Sequence, residues 1–258
     1  MIEIKSAFAK GKAFIAFITA GDPDLETTEQ LILSMEQAGA DLIEIGIPFS
    51  DPVAEGPIIQ GADIRALASG TTTDQIFDMV ARIKERVGIP LAFMTYINPV
   101  YTYGAERFLK RCEECSLAGL IVPDLPFEER NELLPLCREY GVTLVSMVAP
   151  TSNERITQIA SQAEGFVYCV SSMGVTGVRS EITTNISQMV SLVKKVTDTP
   201  CAIGFGISTP EQARAMAQSA DGVIVGSAIV KLVAQYGKNC IQPVSEYVKT
   251  MKQAIADL

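Results

Sequence analysis

Phe14-Ile15-Ala16-Phe17-Ile18-Thr19 runs straight into Ala20-Gly21-Asp22-Pro23-Asp24, and from there into an amphipathic stretch over 25–38 that ends at Gly39. A short run that is apolar on both alternating faces predicts a strand covered on both sides, as in a parallel sheet flanked by helices. The turn after it separates the two common parallel architectures. A doubly wound open sheet ordinarily carries a Gly-rich phosphate turn there, whereas this chain has a single Gly followed by Asp-Pro-Asp. The same strand-then-helix unit recurs outward along the chain. Further strands are expected at 42–47, 90–96, 119–122, 143–148, 165–170, 200–205 and 221–225. Helical patterns lie between them, among them 127–140, with apolar positions at 133, 134, 136 and 137, and 210–219, with Pro210 as its first residue. Eight strands alternating with helices over 258 residues predict a (β/α)8 TIM barrel: a parallel eight-stranded sheet with additional short helices, residues 1–258 forming a single domain.

Composition narrows the chemistry. The chain has 21 Lys+Arg against 30 Asp+Glu, a net charge of −9. Such a surface repels phosphate backbones and anionic lipid, so neither nucleic acid nor a membrane is an expected partner. There is no histidine. Ser–His and Cys–His nucleophilic systems and His-ligated metal sites are thereby excluded, and no metal is expected. Acid–base chemistry near neutrality falls to a carboxylate, Lys, Tyr or Cys with a shifted pKa. The N-terminal segment lacks the apolar core of a secretory signal, and no run approaches a membrane span. Six scattered cysteines fit reduced core positions of a cytoplasmic protein. Cys112 and Cys115 spell C-x-x-C mid-helix, but no second pair accompanies them, and packing is the expected role.

A barrel places its chemistry at the C-terminal ends of the strands and in the loops that follow. The polar, Gly- and Pro-rich segments of this chain fall there: 19–24, 46–57, 97–104, 123–126, 149–154, 171–179, 204–211 and 226–230. Glu44 interrupts an apolar strand, on the same side as Leu42 and Gly46. A carboxylate in a barrel mouth is desolvated, which raises its pKa and lets it carry a proton at neutral pH; a backbone donor or a lysine would account for it structurally. Glu55, in a loop held by Pro48, Pro52 and Pro57, is a candidate partner for charge stabilisation. Tyr168 ends the sixth strand, where strand packing and a place in the site are both open. Gly204 and Gly206 close the seventh strand, and Gly226 and Ser227 close the eighth at a helix start, the usual phosphate positions of barrels. Gly174, Val175, Thr176 and Gly177 offer a third arm or a mobile closing loop, with Arg179 as a possible helper. Phe17, Tyr96, Ile121 and Phe205 at strand ends suggest an apolar wall for the flat end of a phosphorylated substrate.

Four segments together resemble the tryptophan synthase alpha chain family: Phe17 to Pro23, Glu44 to Pro52, Gly174 to Gly177 and Gly204 to Ser208. The similarity runs in order from about residue 5 to residue 235. It implies cleavage of indole-3-glycerol phosphate to indole and glyceraldehyde 3-phosphate, classed by convention with carbon–oxygen lyases, with no cofactor in this chain. It also implies a beta-chain partner in an alpha2beta2 complex, which condenses indole with serine using PLP (pyridoxal phosphate). By the same resemblance Glu44 is the acid–base carboxylate and Tyr168 the active-site tyrosine. Gly177, Gly206, Gly226 and Ser227 form the phosphate cradle, and Phe17, Tyr96 and Phe205 surround the indole. Phe49, Ser50, Asp51, Pro52, Asn98 and Pro99 meet the beta chain, and 171–181 closes over substrate. The chain departs from the family at residue 55, where Glu replaces the usual Asp and carries the carboxylate about 1.5 Å further from the backbone. A stand-alone lyase, a weakly active subunit that mainly activates its partner, and another phosphate-binding barrel enzyme are the alternative readings.

Overall fold

A computed structural model describes residues 2–170, 186–204 and 206–258. Its strands are β1 (Ala13–Thr19), β2 (Leu42–Gly46), β3 (Leu91–Met94), β4 (Gly119–Ile121), β5 (Thr143–Leu144), β6 (Ser146–Val148), β7 (Val167–Val170), β8 (Cys201–Gly204) and β9 (Gly222–Val225). The helices are α1 (Leu25–Gln37), α2 (Pro57–Ala68), α3 (Thr73–Ile83), α4 (Ile97–Tyr103), α5 (Ala105–Glu114), α6 (Leu134–Glu139), α7 (Asn153–Ala160), α8 (Ile186–Val196), α9 (Pro210–Ala217), α10 (Ser227–Tyr236) and α11 (Ile241–Gln253).

All strand pairs are parallel, in the order β5-β4-β3-β2-β1-β9-β8-β7-β6. The two edges of that sheet, β5 and β6, are halves of one run, 143–148, separated by Val145. The first half pairs with β4 and the second with β7, and the Val145 N–H still donates to the Leu120 carbonyl at 3.0 Å. The sheet therefore comes round on itself. The expected eight strands become nine because barrel strands are tilted and staggered, so one strand meets its two neighbours along different parts of its length.

Alternation sorts the side chains into two cores. Phe14, Ala16 and Ile18, Ile43 and Ile45, and Val167 and Cys169 point outward into the layer shared with the helices. Ile15, Leu42, Ala92, Ile121, Tyr168, Ala202 and Ile224 point into the barrel. The N-terminal end of that interior is closed by a 3-10 turn, Ile4–Phe8. Ile4 packs against Gly119 and Gly165, and Phe8 lies 5.7 Å from Phe166 between ring centres.

Helix starts follow capping chemistry. The Asp24 side chain accepts from the Thr27 N–H at the start of α1, and Thr209 with Gln212 forms a capping box at α9, where Pro210 stands first. The expected helix 127–140 is instead a 3-10 turn, Phe127–Glu132, followed by α6. Pro135 has no N–H to continue a helix begun earlier, so it sits in the first turn of a new one. Cys115 caps α5 rather than lying within it, and its thiol donates to the Phe77 carbonyl at 3.4 Å. All six cysteines are free and buried. Among the described residues no helix is long and apolar enough to cross a membrane.

Candidate active site

Five strands deliver inward side chains near the C-terminal end of the barrel: Phe17 from β1, Glu44 and Gly46 from β2, Met94 from β3, Tyr168 from β7 and Ile224 from β9. All of these except Glu44 line a cavity with two lobes that share Phe17, Glu55, Ile59 and Met94. One lobe continues to Tyr168, Gly206, Ile207, Ile224, Gly226 and Ser227. The other continues to Gly46, Asp63, Thr95, Tyr96 and Pro123.

Phe17 holds the centre because two glycines leave room for it. A Cβ on Gly46 would stand 2.6 Å from the ring, and one on Gly226 would stand 3.2 Å from it. Both neighbours of β1 must be bare at that level for the ring to lie across them.

Glu44 pairs in register with Phe17 on one side and Ala92 on the other, one inward step below Gly46. It is 0% exposed, and neither carboxyl oxygen has a hydrogen-bond partner among the described residues. The expected mouth position is therefore corrected: the carboxyl lies sealed beneath the cavity. Burial alone pushes it up to about 8, so it is the neutral acid at physiological pH. Tyr168 is buried beside it, with its hydroxyl over Gly204, where a Cβ would come within 2.6 Å. Burial, and then the charges of Glu44 and Glu55, push its phenol well above its ordinary value, so it stays an O–H donor.

Glu55 precedes Gly56, the N-cap of α2, and is 7% exposed. The Tyr96 hydroxyl donates to Glu55 Oε1 at 3.2 Å and accepts from the Ala54 N–H at 2.9 Å. The Gln60 side-chain amide donates to the Glu55 carbonyl at 2.8 Å. Tyr96 is thus more than an apolar wall: it ties the end of Glu55 to the loop that carries it. Its own phenol is raised by burial first and by Glu55 second.

At the opposite end, Gly226 is the N-cap of α10 and offers no side chain to cap it. The first backbone N–H groups of a ten-residue helix start at Ser227, in the wall of the cavity, whereas α9 nearby is already capped by Thr209. Uncapped amides at the positive end of a helix form an anion site. Gly206, with φ +83°, turns the β8–α9 loop toward it through a backbone conformation that disfavours any side chain.

Ile121 belongs to the packed barrel interior. Phe49 is half-buried, with its ring 5.5 Å from Tyr96. Ser50, Asp51 and Asn98 are exposed, Pro52 and Pro99 half-buried, and Val53 beside them is 72% exposed. Phe205, Gly174, Val175, Thr176, Gly177 and Arg179 lie outside the described residues. Sequence reading missed Met94 and Ile224, although both fall on the inward alternation of their strands. Ile59 and Asp63 carried no such signal, because only packing decides which face of α2 meets the cavity. Among the described residues there is no cluster of carboxylates and thiols able to hold a metal ion.

The tryptophan synthase alpha chain family model matches residues 5–256. A relative named tryptophan synthase alpha chain, from Lacticaseibacillus casei, is 46% identical over 255 residues, covering 99% of this chain and 96% of that one. The solved structure of tryptophan synthase subunit alpha from Legionella pneumophila superposes with a TM-score of 0.89 at 33% identity and covers 100% of both chains. A chain from the tryptophan synthase a2b2 complex of Pyrococcus furiosus, a structure concerned with mutual activation, gives a TM-score of 0.87 at 33% identity, over 95% of this chain and 99% of that one.

Proposed function

This chain belongs to the tryptophan synthase alpha chain family, and on that premise we propose which of its residues carry the reaction. The activity is cleavage of indole-3-glycerol phosphate to indole and glyceraldehyde 3-phosphate in tryptophan synthesis. No cofactor acts in this chain; pyridoxal phosphate serves the beta chain.

Glu44 starts as the acid. Its buried carboxyl holds a proton at neutral pH and gives it to indole C3, which makes the ring an electron sink. The carbon–carbon bond to the glycerol chain then breaks. As it does, the adjacent hydroxyl becomes the aldehyde carbonyl, and its proton returns to Glu44. One proton leaves and one comes back, so the residue is ready for the next turnover. Glu55, held by Tyr96, accepts the indole N–H and favours the positive charge that develops there. Tyr168 packs against the reacting end as a neutral donor. Gly206, Gly226 and Ser227, with Gly177, cradle the phosphate and use remote binding to orient the ring. Phe17, Tyr96 and Phe205 line the indole end, and Gly174, Val175 and Thr176 belong to a closing loop. Phe49, Ser50, Asp51, Pro52, Asn98 and Pro99 face a beta chain in an alpha2beta2 assembly. Residues 1–258 act as one domain, in the cytoplasm.

The observation that carries the assignment is the sealed, partnerless Glu44 beneath a cavity whose far end is an uncapped helix N-terminus. Glu44→Gln tests it. Indole release is expected to fall by at least a thousandfold while phosphate-end binding persists, and substantial residual turnover would reject Glu44 as the acid.

A further inference from the structure

One carboxylate of the cavity wall has no part in that reaction. Asp63 sits on the buried face of α2 with Ile59, Ala62 and Ala66 and is 6% exposed. It lines the lobe that also holds Glu55, Phe17, Thr95 and Tyr96. No hydrogen bond or ion pair reaches its carboxyl among the described residues. Arg65, two residues further along the helix, gives Nε and Nη2 to the two oxygens of Asp22, each at 2.8 Å. That bidentate pair leaves Arg65 committed to another acid.

The charged and titratable groups facing Asp63 are few. Glu55 faces it from the loop before α2, Asp22 with its Arg65 clamp from the loop after β1, and Tyr96, a neutral phenol, from the start of α4. Burial first, then Glu55 and Asp22, push the Asp63 carboxyl up to about 8. A nine-tenths-buried acid without a protein partner, in the wall of a cavity, is satisfied only by what enters that cavity.

We propose that Asp63 is a specificity-determining residue of the indole end: as the neutral acid it completes the wall against which the ring packs, and as the carboxylate it turns the ring away. The inference rests on the assignment of this lobe to the indole. Seating an apolar ring against a lone carboxylate strips its water without replacing it, which is strongly unfavourable. Ring binding and loss of the Asp63 proton therefore oppose each other. Phosphate binding at the other end does not involve Asp63. The alkaline loss thus falls on affinity for the ring, while the fate of the bond remains with Glu44.

The test uses the full chain with a beta chain present and two ligands. One is an indole joined by a saturated three-carbon chain to phosphate, which lacks the hydroxyl needed for cleavage. The other is the same alkyl phosphate without the ring. Calorimetric Kd values are taken from pH 6.5 to 9.5 for the wild type and for Asp63→Asn, with Asp63→Ser as a second neutral variant. The wild-type Kd for the ring-bearing ligand is expected to rise toward about tenfold per pH unit above pH 8. Both variants should stay flatter, and KM for the natural substrate should follow the same pattern. The alkyl phosphate should show no difference between the proteins. An equally steep rise in the variants, or a loss confined to kcat with no change in the pH dependence of KM, would overturn the role of Asp63. A ring-bearing ligand that binds no tighter than the alkyl phosphate in any protein would instead remove the indole assignment beneath it.

Discussion

Glu44 keeps its proton into neutral solution because it is fully buried, none of the described residues pairs with its carboxyl, and burial pushes that carboxyl up to about 8. The same fact makes it a liability for folding. The folded state retains a proton that the unfolded chain releases near 4.5. The stability associated with that proton is whole below about pH 4.5 and is lost as pH rises to about 8. Each unit of such a shift corresponds to about 1.4 kcal/mol. Glu44→Gln is therefore expected to gain stability over the wild type by several kcal/mol by pH 8. The advantage should grow across that window and level off above it, as read by denaturant unfolding at several pH values. Asp63 titrates in both proteins, so the difference isolates Glu44. At residue 55, Tyr96 decides which way the family's departure cuts. Its hydroxyl reaches the end of the longer side chain, and shortening by one methylene withdraws the acceptor by about 1.5 Å. Glu55→Asp should lower kcat by about tenfold to a hundredfold. A faster enzyme would show that the loop is not built around Glu.

At the scale of elements, α10 matters because its uncapped start, Gly226 and Ser227, lies in the cavity wall with Gly206. Four helices carry a side chain over their first N–H groups: Asp24, Thr72, Ser152 and Thr209 at α1, α3, α7 and α9. Gly226 supplies none, so those donors are left open beside the Ser227 hydroxyl, where the proposed function places the phosphate. Their contribution is to binding, made alike in the ground and transition states. Ser227→Ala should accordingly raise KM several-fold with little change in kcat in steady-state cleavage assays. An unchanged KM would take Ser227 out of the cradle. Gly226 has a second duty at the same element boundary, since the Phe17 ring passes within van der Waals contact of where its Cβ would be.

Across the whole molecule, the loops after β2 and β3 bring Glu55 and Tyr96 to the site on segments whose other side is exposed. Val53 is largely open to solvent, and Tyr101 at the far end of α4 is 45% exposed. A partner seated on these loops would act on Glu55 through the backbone that carries it. Adding a beta chain should therefore raise the rate of indole release by about tenfold or more, chiefly in kcat. Equal rates with and without it would mark a self-sufficient lyase. No release in either condition would leave activation of the partner as the chain's main work.

The barrel was legible from the sequence because it rests on a repeating local pattern. Runs such as Phe14–Thr19 are apolar on both faces, each is followed by a helix with readable start and stop signals, and alternation put Glu44 inside with Leu42. The placing of Gly206 and Gly226 in one cavity wall was legible for the same reason, as glycines at two consecutive strand ends. Where strand 143–148 divides, and where helix 127–140 restarts, depended on barrel stagger and on Pro135. The depth of Glu44, the tie from Tyr96 to Glu55, and the turn of Asp63 toward the cavity were decided only by the tertiary structure. Residues 41 and 48 positions apart meet there, Glu55 with Tyr96 and Glu44 with Ala92. Burial and pairing at that distance are properties of packing, which strips water from one carboxyl and gives another a hydroxyl. No local pattern encodes which of the two a given acid receives.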